Sequence, residues 1–227
     1  RALQGEAVKR LFGEGKILVS DAASQMVAAG VLPKGRKPST FLEVGAGRAT
    51  KTILLQSNAK RLYGSQLDLY TLDNHEFKTN LLVERAQRYG AAVARACTGD
   101  ATDLDAVFPD RSFDEVFIDA PCSGLGTLRR HPEIRWRITE KDIDALAETG
   151  FAMLVSAAGH VAQGGSLAYA TCTVLRQENA ETVKRFLESE AGAAFELDEI
   201  CGNRVFSTRL GSRSSDAHFA VRMVRTR

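Results

Sequence analysis

The chain has 227 residues, 44% hydrophobic and 26% charged. That is enough apolar material for one large domain or one and a half, and it excludes a disordered polar chain. No run reaches the roughly 18 apolar residues that a bilayer-crossing helix needs, and the net charge of +2 by itself singles out no partner.

In chain order, Lys16–Val19 reads as a short strand, and a helix follows from Ser20 or Asp21, both good N-caps, to Gly30. The polar stretch from Pro33 to Ser39 separates this N-terminal part from the rest. We expect residues 1–38 to form an extension packed on a catalytic domain spanning 39–227. Phe41–Val44 is an apolar strand ending in a glycine turn, with a helix after it. Strands are expected at Leu67–Leu72, Ala92–Thr98, Phe113–Ile118 and Ser166–Thr171. A helix over Glu76–Tyr89 carries an apolar stripe through Phe77, Leu81 and Leu82. A long helix covers about Glu140–Ala162, stopped by Gly164-Gly165, and another covers Gln177–Ser189. Two late strands, Phe195–Ile200 and Ala217–Val224, have no helix between them, so one should enter antiparallel. Strands alternating with helices predict an α/β fold with a doubly wound, mostly parallel seven-stranded sheet. In such a sheet, ligands sit beyond the carboxyl ends of the strands at the topological switch point.

The strand ends carry acids and glycines. The first strand leads into Glu43-Val-Gly-Ala-Gly, where Gly45 and Gly47 permit a tight turn and close approach of a ligand to the backbone. The dinucleotide fingerprint needs a third glycine where this chain has Thr50, which argues against a nicotinamide enzyme. Asp73, Asp100 and Asp119 end the next strands. Together with Glu43 they would repel a phosphate, and they suit a nucleoside that carries a positive charge and no phosphate, such as S-adenosylmethionine. Cys122 and Cys172 sit at the ends of two strands expected to be neighbours. The cysteines and the four histidines contain no C-x-x-C and are scattered, so neither a zinc site nor a disulfide framework is expected.

DAPCSGLGTLRRHPEIRW and AYATCTVLRQENAETV, with their Pro-Cys and Thr-Cys pairs 50 residues apart, resemble the two signature segments of the RsmB/Sun-type RNA (cytosine-5)-methyltransferases. The likeness runs from about Glu14 to Arg225. It implies a Rossmann-like class I methyltransferase fold and 5-methylcytosine formation, in ribosomal RNA ahead of transfer RNA, with S-adenosylmethionine as cofactor. By that resemblance Cys172 is the nucleophile toward carbon 6 of cytosine, Cys122 assists release of the adduct, and Asp119 hydrogen-bonds the base at N3. Glu43, Gly45, Ala46, Gly47, Lys51, Asp73, Asp100 and Asp119 would hold the cofactor. A DNA cytosine-5 methyltransferase would instead use the Pro-Cys cysteine as nucleophile.

The family's Pro-Gly-Gly is replaced here by Arg48-Ala49-Thr50, which supports an alternative: an RNA-binding or assembly module that keeps the fold without turnover. Arg129, Arg130, Arg135 and Arg137 follow the Pro-Cys segment and are expected to bind RNA phosphates. Trp136 among them reads either as a stacking residue or as core. A second basic cluster runs from Arg204 to Arg227. We expect no metal and no membrane partner. The chain opens at Arg1 without a signal pattern, which reads as a piece of a longer protein made in the cytosol, so a cytoplasmic location is expected.

Overall fold

All four residues of Phe41–Val44 (β1) are buried, which a strand achieves only where helices cover both faces of its sheet. The computed structural model describes residues 5–210 and 215–226. Among the described residues, two helices, α1 (Glu6–Gly13) and α2 (Ala22–Gly30), precede β1. After it come α3 (Thr50–Tyr63), β2 (Leu69–Asp73), α4 (Glu76–Arg88), β3 (Arg95–Thr98) and β4 (Phe113–Asp119). Then follow α5 (Glu140–Ala158), β5 (Val161–Thr171), α6 (Thr182–Leu187), β6 (Phe195–Asp198), the two-residue β7 (Phe206–Ser207) and β8 (Phe219–Arg225).

The main sheet runs β3-β2-β1-β4-β5-β8-β6, with β7 on β8. β1 to β5 pair in parallel, and β8 enters antiparallel between β5 and β6. This is the doubly wound, mostly parallel α/β sheet of a Rossmann-like fold, with seven main strands and β7 as a short addition. The strand order reverses between β1 and β4, so their carboxyl ends frame the crevice.

Side chains alternate across the sheet with the period of two that a strand imposes. Val116, Ile118, Leu167, Tyr169 and Val221 pack on the α5 side, while Phe117, Ala168, Ala170 and Ala220 pack on the α2 and α3 side. The N-terminal helix α2 is capped by Asp21, which accepts from the Ala23 amide, and it buries Val27 and Ala28 on that second face.

Several expected boundaries move. Lys16–Ser20 forms no strand. The long helix begins with a capping box between Thr139 and Asp142 but ends at Ala158. Val161, fully buried, already pairs with Phe113, so Gly164-Gly165 lies inside β5, within the register shift between Val161 and Ser166, rather than at a helix stop. The expected Gln177–Ser189 helix divides into a π-helical turn, Gln177–Glu181, and α6. In α4 the buried face is Thr79, Leu82 and Ala86, and Phe77 is exposed, because its ring lies against His75 rather than over the sheet.

Candidate active site

β1 delivers the first turn. Gly45 has φ 77°, and a Cβ there would lie 2.3 Å from the Asp119 carbonyl oxygen, so only glycine lets β1 and β4 end this close together. The Gly45 and Ala46 amides donate to the Leu72 carbonyl, and the Gly47 amide donates to Asp73 Oδ2 at 2.9 Å. Ala49 caps α3 with φ 66°, a left-handed conformation that the altered loop keeps without glycine. Thr52 donates to Glu43 Oε2 at 2.7 Å, whereas Glu43 Oε1 is buried with no hydrogen-bond partner. Burial pushes the Glu43 carboxyl up to about 8 despite the Thr52 bond, so it holds its proton at neutral pH.

Two clefts open at this rim. One, ≈ 240 Å³, has Gly45, Gly47, Asp73, Asp100 and Asp119 among its lining residues. Its three carboxylates face a single lining ammonium, Lys78, which lies 3.3 Å from Asp73. Asp100 accepts from the Thr102 amide and hydroxyl, bonds that hold its carboxyl below the ordinary value. The other cleft, ≈ 440 Å³, includes Lys51, Cys122, Cys172, Arg130 and His218 in its lining. Asp119, Ala120 and Pro121 belong to both linings, so the two clefts share a wall.

Three of the expected cofactor residues therefore lie outside the acid-lined cleft. Ala46 packs in a small apolar cluster, Glu43 is buried beneath the turn, and Lys51 faces the thiols because the first turn of α3 aims it at Asp119. Lys51 Nζ lies 2.6 Å from Asp119 Oδ2. Burial alone would lower the Lys51 pKa, but the Asp119 carboxylate outweighs burial and holds the ammonium above its ordinary value.

Cys122 Sγ and Cys172 Sγ are 3.4 Å apart, both free, and the Cys172 amide donates to Cys122 Sγ at 3.3 Å. The hydrogen bond from Cys122, with help from the Lys51 charge, lowers the Cys172 pKa against the opposing effects of burial and Asp119. The same bond and burial push Cys122 up, so Cys122 keeps its proton and Cys172 is the sulfur disposed to be a thiolate.

One carboxylate holds this pair together, and the sequence reading did not single it out. Glu178, on the π-helical turn and buried, accepts from the Ser123 amide (2.6 Å), the Ser123 hydroxyl (2.7 Å) and the Thr173 hydroxyl (3.0 Å). Ser123 follows Cys122 and Thr173 follows Cys172, so Glu178 ties together the residues after both thiols. Asn179 adds bonds to the Thr173 carbonyl and the Thr171 hydroxyl. The signal available was Glu-Asn inside the second signature segment, an acid and an amide within seven residues of a strand-end cysteine.

The four expected RNA arginines separate into two pairs. Arg129 and Arg130, each half exposed, bond inward to buried Asp216, and Arg129 also to Asp21. Arg135 and Arg137 are exposed on the short 3-10 helix Pro132–Trp136 and its cap, with Trp136 84% exposed between them. Trp136 is therefore not a core residue. In the later basic cluster, Arg222 pairs inward with Glu115 and Asp198, and Arg213 and Arg227 lie outside the described residues. Among the described residues no group of three or more His, Cys, Asp or Glu side chains is arranged to hold a metal ion, and no helix is long and apolar enough to cross a membrane.

A family model described as "16S rRNA methyltransferase RsmB/F" matches residues 32–217. The probable ribosomal RNA small subunit methyltransferase B of Bacillus subtilis (strain 168) is 33% identical over 177 residues, 78% of this chain and 38% of the relative. Its counterpart from Synechocystis sp. is 36% identical over the same shares of the two chains. The chain thus spans well under half the length of these relatives. The crystal structure of NSun6 from Pyrococcus horikoshii with SFG superposes with a TM-score of 0.82 over 99% of this chain and 56% of that one, at 20% identity, a likeness of fold.

Proposed function

The chain belongs to the RsmB/F family of 16S rRNA methyltransferases, and from that premise we propose that it methylates carbon 5 of a cytosine in RNA, ribosomal RNA first. The observation that carries this reading is the wall shared by the acid-lined cleft and the cleft of the paired thiols. The first cleft fits S-adenosylmethionine, because three carboxylates suit a sulfonium and an ammonium and would repel a phosphate. Bound there, that molecule supplies an electrophilic methyl group.

This chain's own residues supply the rest. A pyrimidine carbon is a weak nucleophile, so covalent addition at the neighbouring carbon is the means of activating it. Cys172, lowered in pKa and backed by Lys51, would add to carbon 6, and the electron pair of the 5,6 double bond would move toward carbon 5 and N3. Asp119, a wall of both clefts, would accept a hydrogen bond from the 4-amino group beside N3 and hold the base in place. Cys122 would keep its proton and hydrogen-bond the departing Cys172 sulfur when the adduct breaks down. Gly45, Gly47, Asp73 and Asp100 would hold the donor. The base must be unpaired or flipped to reach the thiols. Arg135, Trp136 and Arg137, turned outward, suit the phosphates and bases of the strand around it.

The alternative module without turnover rests on the altered loop. That loop nonetheless keeps its left-handed turn at Ala49 and its Gly47 bond to Asp73. Calorimetric titration with S-adenosylmethionine should give a saturable heat, and its absence would favour the module. On RNA, Cys172→Ala should abolish methyl transfer, whereas Cys122→Ala should accumulate a covalent protein–RNA complex. Methylation by the Cys172 variant at the unmodified chain's rate would overturn the assignment.

A further inference from the structure

His218 stands in the thiol cleft with nothing yet to do. It is 5% exposed, and its Nδ1 is buried without a hydrogen-bond partner. An orphaned polar atom of this kind calls for an explanation, and a reaction role is one of the few available. Its backbone is fixed from both sides: the amide donates to Thr208 Oγ1 at 2.8 Å and the carbonyl accepts from the Thr208 amide at 2.9 Å. The β5–β8 ladder ends on the pair Thr171 and Phe219. Cys172 and His218 are the next residues along the two antiparallel strands, and both line the cleft with Cys122 and Lys51.

The reaction read above leaves one proton unassigned. Once carbon 5 carries the methyl group it still carries its hydrogen, and the ring regains its double bond only when an acceptor removes it. Cys122, 3.4 Å from Cys172, is already assigned to hydrogen-bond the departing sulfur and so does not take this proton. Asp119 is held by Lys51. Asp21 is engaged by the Ala23 and Asp216 amides and by Arg129. Among the described residues lining the cleft, that leaves the His218 imidazole. Burial first, then the Lys51 charge, keep it below its ordinary pKa against the opposing carboxylates Asp119, Asp21 and Asp216. It is therefore neutral at pH 7 and able to accept.

We propose that His218 is the catalytic proton acceptor that takes the hydrogen from carbon 5 of the methylated adduct. The electron pair of the C5–H bond forms the C5–C6 double bond, and the C6–S bond breaks with its electrons returning to Cys172. The proton passes to the His218 imidazole and from there to solvent. This step rests on the cytosine-5 reading above.

The test uses His218→Phe and His218→Gln with a 16S ribosomal RNA transcript and S-adenosylmethionine. Both variants should transfer methyl groups in a single turnover at close to the unmodified rate. Release should slow by roughly 100-fold, the usual scale for losing a general base, so that a methylated covalent complex accumulates on denaturing gels. A second transcript carries 5-fluorocytidine in place of cytidine and has no hydrogen to remove. On it, variants and unmodified chain should trap the complex at equal rates. Release at the unmodified rate in both variants overturns the proposal. So does loss of trapping on the fluorinated transcript, which would make His218 a structural residue needed before the elimination. If the unmodified chain neither methylates nor traps, the cytosine-5 reading itself fails, and the role of His218 falls with it.

Discussion

A thiol is a poor nucleophile until something stabilises its anion, and two neighbours do so for Cys172: the Cys122 thiol at 3.4 Å and the ammonium of Lys51. Lys51 also neutralises Asp119, which would otherwise raise the same thiol. Lys51→Met removes the stabilising charge and exposes Cys172 to the unbalanced carboxylate, and both changes push its pKa up. Alkylation of Cys172 by iodoacetamide at pH 7, followed by peptide mass spectrometry, should slow several-fold, since each unit of pKa above ambient pH costs about tenfold in thiolate. An unchanged rate would show that Cys122 alone activates the sulfur. At the same scale, Arg129 and Arg130 have their charge spent on Asp216, while Arg135 and Arg137 keep theirs turned outward.

At the scale of elements, the thiol pair is a product of how two loops are clamped. The π-helical turn at Gln177–Glu181 widens the start of what would otherwise be one helix, and π turns of this kind recur at functional sites. Its Glu178 carboxylate accepts three hydrogen bonds from the two cysteine loops. Glu178→Gln keeps the shape but turns an amide NH2 toward at least one donor, leaving buried polar groups unmatched. A loss on the order of 2–4 kcal/mol in urea unfolding is expected, together with slower Cys172 alkylation in the folded variant. Retained stability and reactivity would show that the loops hold their positions without the clamp. Periodicity could not reveal this turn, because Gln177–Ser189 has a helical pattern throughout, while the turn's partners, among them Ser123, Tyr169 and Thr173, lie outside that segment.

Across the whole molecule, the buried acid of β1 couples folding to pH. The Glu43 carboxyl has an ordinary value of 4.5 and is raised to about 8 in the folded chain by burial. Between those values the folded state keeps a proton that the unfolded state has lost, so stability is fullest below pH 4.5 and declines as pH rises to 8. Glu115, buried at the start of β4 and raised to about 7, acts with the same sign. Thermal unfolding followed from pH 5 to pH 8 should show falling stability. Glu43→Gln should flatten that slope by on the order of 2–4 kcal/mol, leaving the part due to Glu115. A slope identical in the variant would mean that Glu43 is ionised in the folded chain.

The alternation of apolar strands with helical segments, and the acids and glycines at the strand ends, were legible in the sequence because a sheet covered on both faces writes its burial into its central strands. The two cysteine segments were legible because their spacing matches a family pattern. Boundaries such as the end of α5 were not, since Val161 becomes strand only by pairing with Phe113, far away in the chain. The inward turn of Arg129 and Arg130, the exposure of Trp136, the Glu178 clamp and the place of His218 beside the thiols were decided by tertiary structure alone. Each depends on a partner brought near by strand order, and linear sequence records which groups exist but not which of them meet.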